Sequence, residues 1–146
     1  MRIRTFLVAL IAVTGMGTTL AAAPAHAVQK SRHCVVNVSD ANARMACYGS
    51  FTEAKAAATT ASLIEIAWEG PDFDGRALFF TASGDCSQTV DDVDFSAPDV
   101  GFGIRSYRSY GNCLSRHYEL PNFEGRSVDW GSGGQLPFPA RSVQWT

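Results

Sequence analysis

A stretch of nine residues occurs twice in the chain, fifty residues apart, and it constrains the fold more than any other feature. The first copy, 68–76, reads Trp-Glu-Gly-Pro-Asp-Phe-Asp-Gly-Arg, and the second, 118–126, reads Tyr-Glu-Leu-Pro-Asn-Phe-Glu-Gly-Arg. An aromatic residue, a proline, a phenylalanine and a Gly-Arg pair keep their places in both copies. A repeat at a fixed spacing is typical of a duplicated structural unit. The sequence therefore predicts two equivalent halves.

The first residues of the chain predict an export signal rather than a part of the fold. Arg2 and Arg4 precede an apolar run over 6–16, and a stretch of small residues ends in Ala-His-Ala at 25–27, which fits an A-x-A cleavage site. The apolar run is too short for a membrane-spanning helix. We therefore predict that residues 1–27 are a secretory signal peptide, that the product is extracellular, and that it does not insert into a membrane after cleavage.

The rest of the chain has the size of one domain and a weak negative charge. Removing the two arginines of the predicted signal from the 12 basic residues leaves 10 against 14 acidic residues, a net charge of about −4. A nucleic-acid-binding surface requires a basic face. No nucleic-acid partner is therefore predicted.

All four cysteines follow the predicted cleavage point. An even number of cysteines in an exported chain predicts two disulfides, for which there are three pairings. Pairing between neighbours in the sequence is favoured because each such pair lies within one local unit. These pairs are Cys34 with Cys47 and Cys86 with Cys113.

The segment 28–62 is predicted to be a small unit stapled by the first disulfide. The β-branched residues of 34–38 can pair with 44–48 as a hairpin. Ser50 and Glu53 then form a capping box, which predicts a helix in the alanine-rich stretch behind them.

From residue 63 onward the chain is rich in aromatic residues and glycine and lacks helical periodicity. This pattern predicts an all-β antiparallel sandwich over 63–146. Two halves, about 63–110 and 111–146, would each supply a four-stranded Greek key, and the glycine-rich stretch 131–134 would turn a hairpin. The predicted strands are 63–68, 76–81, 103–107, 114–119, 127–130 and 142–145.

The repeated pattern resembles the Greek-key motif of the βγ-crystallin family. Each copy has an aromatic, four residues, a second aromatic, one residue and a glycine, and is closed later by a strand, at 103–105 in the first copy and at 142–145 in the second. The glycine permits a positive-φ backbone in a folded hairpin, and the two aromatics can pack across it. The residues that carry the resemblance are Trp68, Phe73 and Gly75 in the first copy and Tyr118, Phe123 and Gly125 in the second.

The resemblance implies a βγ-crystallin-like double Greek-key sandwich over 63–146. The segment before it is similar to the N-terminal part of secreted actinobacterial proteins of this type. Members of the family often bind calcium through one stretch in each motif, and the matching stretches here are 98–103 and 137–142. Asp99 and Ser142 are the only candidate ligands that these stretches keep. Because Ca²⁺ requires six or more oxygen ligands, calcium is not favoured as a cofactor.

No catalytic motif is found. The sequence lacks H-E-x-x-H, G-x-S-x-G and a phosphate-binding loop with its lysine. The carboxylate pairs Asp72/Asp74 and Glu119/Glu124 fall at turn positions of the repeat, which favours a structural role, and the acidic run 91–94 is typical of a solvated loop. A non-enzymatic protein is therefore predicted.

A segment of mixed arginine and tyrosine, 105–110, is the candidate contact surface. We predict that it is a loop whose end is held by the Cys86–Cys113 bridge, since loops on a rigid scaffold often bind partners and arginine and tyrosine are enriched at interfaces. The candidate contact residues are Arg105, Tyr107, Arg108 and Tyr110.

Two functions follow as expectations. Some bacterial members of the family look like metalloproteinase inhibitors, and a rigid stapled loop keeps the ordering cost of binding low. The first expectation is therefore a secreted binding module, possessing no catalytic activity, whose partner is a secreted protease or a component of the cell envelope. The alternative is a structural or stress-protective extracellular protein with weak or lost calcium binding.

Overall fold

The structure is a computed structural model that describes residues 33–40, 45–84, 86, 93–96 and 101–146, the segment 93–96 by its backbone. The predicted signal peptide 1–27, the candidate ligand Asp99 and the acidic residues Asp91 and Asp92 lie outside the described residues.

The described residues form nine β-strands, one α-helix and a short 3-10 helix, so the prediction of an all-β fold is confirmed. The helices are α1 (Phe51–Ala58) and the 3-10 helix (Pro121–Phe123). The strands are β1 (His33–Asn37), β2 (Met45–Tyr48), β3 (Ser62–Trp68), β4 (Ala77–Ala82), β5 (Val93–Ser96), β6 (Ile104–Ser109), β7 (Ser115–Tyr118), β8 (Gly133–Ala140) and β9 (Ser142–Trp145).

The strands form a six-stranded sheet of order β2-β1-β4-β3-β6-β8 and a three-stranded sheet of order β5-β9-β7. Among the strands that the structure describes, only β1 and β4 pair in parallel. Each half of the chain contributes one strand to the sheet of the other half. From the first half β5 pairs with β9, and from the second half β8 pairs with β6.

The main core lies between the two sheets. Residues of both sheets form it, among them Phe80, Ile104 and Trp145. A second core lies on the outer face of the six-stranded sheet, where α1 packs with the buried residues Ala54 and Ala58. The helix begins at the predicted capping box, in which the Ser50 hydroxyl accepts from the Glu53 N–H at 3.2 Å and the Glu53 carboxylate accepts from the Ser50 N–H at 3.1 Å.

The two halves differ on their outer faces in a way that explains the helix. In the first half the outer face carries apolar residues that pack against α1, whereas the equivalent residues of the second half are polar or have a polar tip. The apolar residues are Ile66, Trp68, Ala77 and Phe79, and their equivalents are Arg116, Tyr118, Ser127 and Asp129. The helix thus covers the half whose outer face water would solvate poorly.

Both favoured disulfide pairings are present. Cys34–Cys47 joins β1 to β2, and Cys86–Cys113 ties residue 86 to the residue two positions before β7. A two-stranded hairpin is marginal by itself in water, and here β1 is also held by its parallel pairing with β4.

Four local predictions are wrong. Residues 105–109 belong to β6, an interior strand that pairs with both β3 and β8, and not to a loop, and the neighbours Ser106 and Tyr107 are both buried there. Residues 127–130 do not form a strand: among them only Ser127 makes an isolated bridge, to Tyr118 of β7. The stretch 131–134 does not turn a hairpin but leads into β8, and Val93 and Asp94 belong to β5 rather than to a solvated loop. Strand β8 was not predicted, because Pro137 and Pro139 argue against a strand in the sequence. Proline is tolerated only in an edge strand, and β8 lies at the edge of its sheet.

Candidate functional site

Each copy of the repeat folds into a hairpin closed by the same ion pair. Arg76 donates from Nε and Nη2 to the two carboxylate oxygens of Glu69 at 2.8 and 2.7 Å. Arg126 donates to Glu119 in the same way at 2.8 and 2.6 Å. The hydrogen bond from Arg126 holds the pKa of Glu119 below its ordinary value, and the bond to Glu69 raises the pKa of Arg76.

The hydroxyl of a buried serine is hydrogen-bonded to the backbone of each hairpin. The Ser106 hydroxyl donates to the Gly70 carbonyl at 2.7 Å and accepts from the Phe73 N–H at 3.1 Å. The Ser142 hydroxyl makes the equivalent bonds to Leu120 and Phe123 at 2.7 and 3.0 Å. Ser142 is therefore engaged as both donor and acceptor within the fold.

The equivalence of Ser106 and Ser142 corrects the placement of the first calcium stretch. The segment that corresponds to 137–142 is 101–106, three residues later than the predicted 98–103. Neither 101–106 nor 137–142 contains a carboxylate, and each has an arginine directly before its serine. Within the described part of the chain no three metal-ligating side chains come together.

The aromatic residues of the motif pack across the folded hairpins. Trp68 contacts Phe73 edge to face with ring centroids 5.4 Å apart, and Tyr118 contacts Phe123 at 5.7 Å. Both phenylalanines have positive φ, 60° and 62°, and the motif glycines have φ of 77°. A left-handed φ is uncommon for a bulky residue, and it turns the Phe73 side chain back over the outer face while 39% of it stays exposed.

The predicted contact residues are separated by the two faces of β6. Tyr107 is buried and its ring lies 4.1 Å from the ring of His117, in the space between the sheets. Arg108 lies opposite Ile66, whose side chain belongs to the outer core, so it faces outward. Tyr110 packs at the edge of that same outer core. The structure therefore brings Arg108 and Tyr110 to one face and places Tyr107 on the other, while Arg105 is half-buried.

Arg108 and Phe73 lie together at the surface, although nothing in the sequence connects them. The guanidinium of Arg108 lies 5.5 Å from the centre of the Phe73 ring. Beside them, the Gln135 amide donates to an Asp72 carboxylate oxygen at 2.8 Å. We call Asp72, Phe73, Arg108 and Gln135 the outer patch. The hairpin, β6 and β8 each contribute to it. Of its four residues the sequence predicts only Arg108 as a contact residue, whereas it predicts structural roles in the repeat for Phe73 and Asp72.

A second polar cluster, centred on a fully buried carboxylate, lies between the sheets. Glu65 accepts from Trp145 Nε1 at 2.9 Å and lies 3.1 Å from His117 Nε2, and none of the three side chains is exposed. Ser109 lies 3.5 Å from the same carboxylate and 2.8 Å from the hydroxyl of Ser115. Burial, and secondarily the charge of Glu65, raise the pKa of Tyr107.

The buried cluster contains serine, histidine and carboxylate, the residue types of many catalytic sites, but most of its side chains lie in the interior. Glu65, His117, Trp145 and Ser115 are closed to solvent, and only Ser109 is half-buried, so a substrate would not reach the carboxylate or the imidazole at a surface. His117 Nδ1 is buried and has no hydrogen-bond partner among the described residues. The sequence signal that could have found the cluster is Glu65 itself, a single acid among the apolar residues of a predicted strand.

The chain was compared with protein-family models, curated proteins and solved structures, and no match was found in any of the three. Within the described residues no helix is long and apolar enough to cross a membrane.

Proposed function

We propose that the protein is a secreted, non-enzymatic binding module of the βγ-crystallin-like class and that it acts as a peptidase inhibitor. The exchange of β5 and β8 between the two sheets is what two paired Greek keys would produce, which supports this fold assignment. The two disulfides are compatible with an oxidising extracellular environment.

The observation that carries the proposal is the rigid hairpin with the exposed Phe73 near its tip. Its base is closed by the Glu69–Arg76 ion pair, and its backbone is fixed by the hydroxyl of Ser106. A partner that binds this hairpin does not have to order it, so little of the binding free energy is lost to conformational entropy.

The hairpin offers an apolar anchor on a fixed backbone, which is the requirement for blocking a specificity pocket. Pro71, Asp72 and Phe73 are all exposed at its tip. A single aromatic anchor buried in a pocket commonly supplies much of the free energy of a protein interface. We therefore expect Phe73 to enter an apolar pocket of the target peptidase, with Arg108 and Tyr110 at the rim of the contact.

The proposal is tested by titrating the secreted chain, with both disulfides intact, against thermolysin-like, subtilisin-like and trypsin-like proteases. Loss of activity at near-equimolar protein is expected for a protease with an apolar pocket. The variant Phe73→Ala should lose the inhibition, whereas Phe123→Ala, the equivalent change in the second hairpin, should keep it. An unchanged titration with Phe73→Ala would exclude this hairpin as the inhibitory site. If every protease stays active in an excess of the secreted chain, the inhibitory function is excluded.

A structural or stress-protective role is the second candidate, and the buried cluster favours it. A single carboxylate, Glu65, joins side chains of both sheets, and hydrogen bonds between the sheets stabilise the fold. The equivalent segments 101–106 and 137–142 both lack carboxylates, so we expect a melting temperature that does not depend on Ca²⁺. A rise of several degrees with millimolar Ca²⁺ would contradict this and indicate a calcium-stabilised protein.

A further inference from the structure

We infer that the outer patch recognises a carboxylate that stands next to an apolar side chain on the partner protein. The inference rests on the proposed function, because it states the chemistry that the same hairpin would recognise. Phe73 supplies the apolar contact and Arg108 supplies the charge.

Arg108 differs from the other arginines that flank the repeated hairpins. Arg76 and Arg126 each give two donors to a glutamate of their own hairpin. Arg108 makes no ion pair with any residue that the structure describes, and its guanidinium is exposed. The planar fork of an arginine binds a carboxylate through two parallel hydrogen bonds, and at Arg108 this fork is available to a partner.

The internal repeat shows that an arginine is not required at this place in the fold. The residue of β9 that corresponds to Arg108 is Gln144, two residues after the equivalent serine. Gln144 accepts a hydrogen bond from the hydroxyl of Tyr118 and so satisfies a group of its own half. In the first half the corresponding aromatic is Trp68, which is buried under Phe73 and α1. The charge of Arg108 therefore has no structural counterpart.

The surroundings of Arg108 leave its outer side open. Across the strand pair it faces Gly133 of the edge strand β8, which contributes no side chain. On the other side it lies over the exposed Phe73 ring, and a guanidinium above an aromatic face keeps its N–H groups available at its edge. A carboxylate approaching over Gly133 would meet the fork, and an apolar side chain beside it would meet the ring.

The acids of the hairpin do not neutralise Arg108, and they restrict the direction of approach. Asp72 is turned toward Gln135, with 2.8 Å between its oxygen and the amide nitrogen. Asp74 lies folded over Gly70, so close that a side chain at residue 70 would collide with its carboxylate. The carboxylate of a partner is therefore repelled near Asp72 and Asp74 and attracted to Arg108 on the Gly133 side. This charge pattern matches an apolar residue followed by a carboxylate better than it matches a cationic partner.

The inference is tested by nuclear magnetic resonance on the ¹⁵N-labelled secreted chain. The probe is N-acetyl-leucine, which carries an apolar side chain beside a carboxylate, and the control probe is N-acetyl-leucinamide, which carries no charge. Saturable shifts in the millimolar range are expected at the Arg108 side-chain Nε–H and at the backbone amides of Phe73 and Gly133. The amide probe should shift them little.

Two variants make the test specific. Arg108→Gln removes the charge from an exposed side chain and should weaken binding of the acid at least tenfold, with the rest of the spectrum unchanged. Lys55→Glu changes the charge of an exposed residue on the neighbouring α1 and should leave the affinity within twofold. Equal shifts with both probes, shifts that persist in Arg108→Gln, or the absence of saturable shifts would each overturn the inference.

The outcomes separate this inference from the proposed function. If a protease is inhibited but the Arg108→Gln variant inhibits it equally well and the probe does not bind, the inhibitory function is supported and recognition of a carboxylate by Arg108 is excluded. If the probe binds at Arg108 but no protease is inhibited, the patch recognises carboxylates and the peptidase role fails.

Discussion

Glu65 and His117 come from opposite halves of the chain and meet in the interior, with the carboxylate Oε1 3.1 Å from the imidazole Nε2 and neither side chain exposed. Glu65 also accepts from the indole of Trp145, so one carboxylate joins β3 to two strands of the other sheet. In the repeat Glu65 corresponds to Ser115, and Ser109 corresponds to Trp145. These residues pair across strands as Glu65 with Ser109 and Ser115 with Trp145. The cluster therefore lies where the two equivalent halves face one another.

The first prediction concerns the loss of this carboxylate. We expect Glu65→Ala to lower the free energy of unfolding by about 3–5 kcal/mol, because it leaves the buried indole N–H of Trp145 without an acceptor and the buried imidazole of His117 without its partner. Urea unfolding at neutral pH measures the change. Glu119→Ala, which removes a partly exposed carboxylate from an ion pair, should shift the urea midpoint far less. A midpoint for Glu65→Ala equal to that of the unchanged protein would show that the cluster does not hold the sheets together.

The second prediction concerns the ionisation of Tyr107. Its pKa is raised from the ordinary value of 10.0, first by burial and then by the negative charge of Glu65. The folded state thus favours the protonated phenol, and this contribution to stability is complete below about pH 10 and is lost as the pH rises further. An ultraviolet titration should show one tyrosine that ionises last, and Tyr107→Phe should remove that step. If the last step remains in Tyr107→Phe, another tyrosine is responsible.

The sequence predicted the all-β class, both disulfides, the capped helix and the repeat because each has a local signal. The capping box, for example, needs only Ser50 and Glu53. The sequence could not predict the outer patch, since the contact of Phe73 with Arg108 depends on how the hairpin folds over β6. Strand β8 was missed because Pro137 and Pro139 argue against a strand unless its position at the edge is known.

The third prediction concerns the exposed ion pair of the second hairpin. The hydrogen bond from Arg126 lowers the pKa of Glu119 from its ordinary value of 4.5. Because the pKa of Glu119 is lower in the folded state, its ionised form stabilises the protein at pH values above the ordinary pKa. This contribution is lost as the pH falls through the folded-state pKa. We expect Arg126→Ala to raise the pKa of Glu119 toward 4.5, as followed by ¹³C resonances of its carboxylate. Arg116→Ala, which leaves the ion pair intact, should not change it, and an unchanged titration in Arg126→Ala would assign the shift to another group.

The last prediction concerns the glycines that turn the two hairpins. Gly75 and Gly125 both have a φ of 77°, a conformation that costs other residues about 1–2 kcal/mol. A Cβ at Gly75 would meet Glu69 at an ordinary 3.6 Å, whereas a Cβ at Gly125 would lie 3.0 Å from the Leu120 side chain. We therefore expect Gly125→Ala to destabilise the protein at least as much as Gly75→Ala does in urea unfolding. Gly49→Ala, with the nearest atom at 3.7 Å, should stay within about 0.5 kcal/mol of the unchanged protein. A smaller loss for Gly125→Ala than for Gly75→Ala would mean that the exposed Leu120 gives way without cost, so that the backbone conformation alone sets the requirement for glycine.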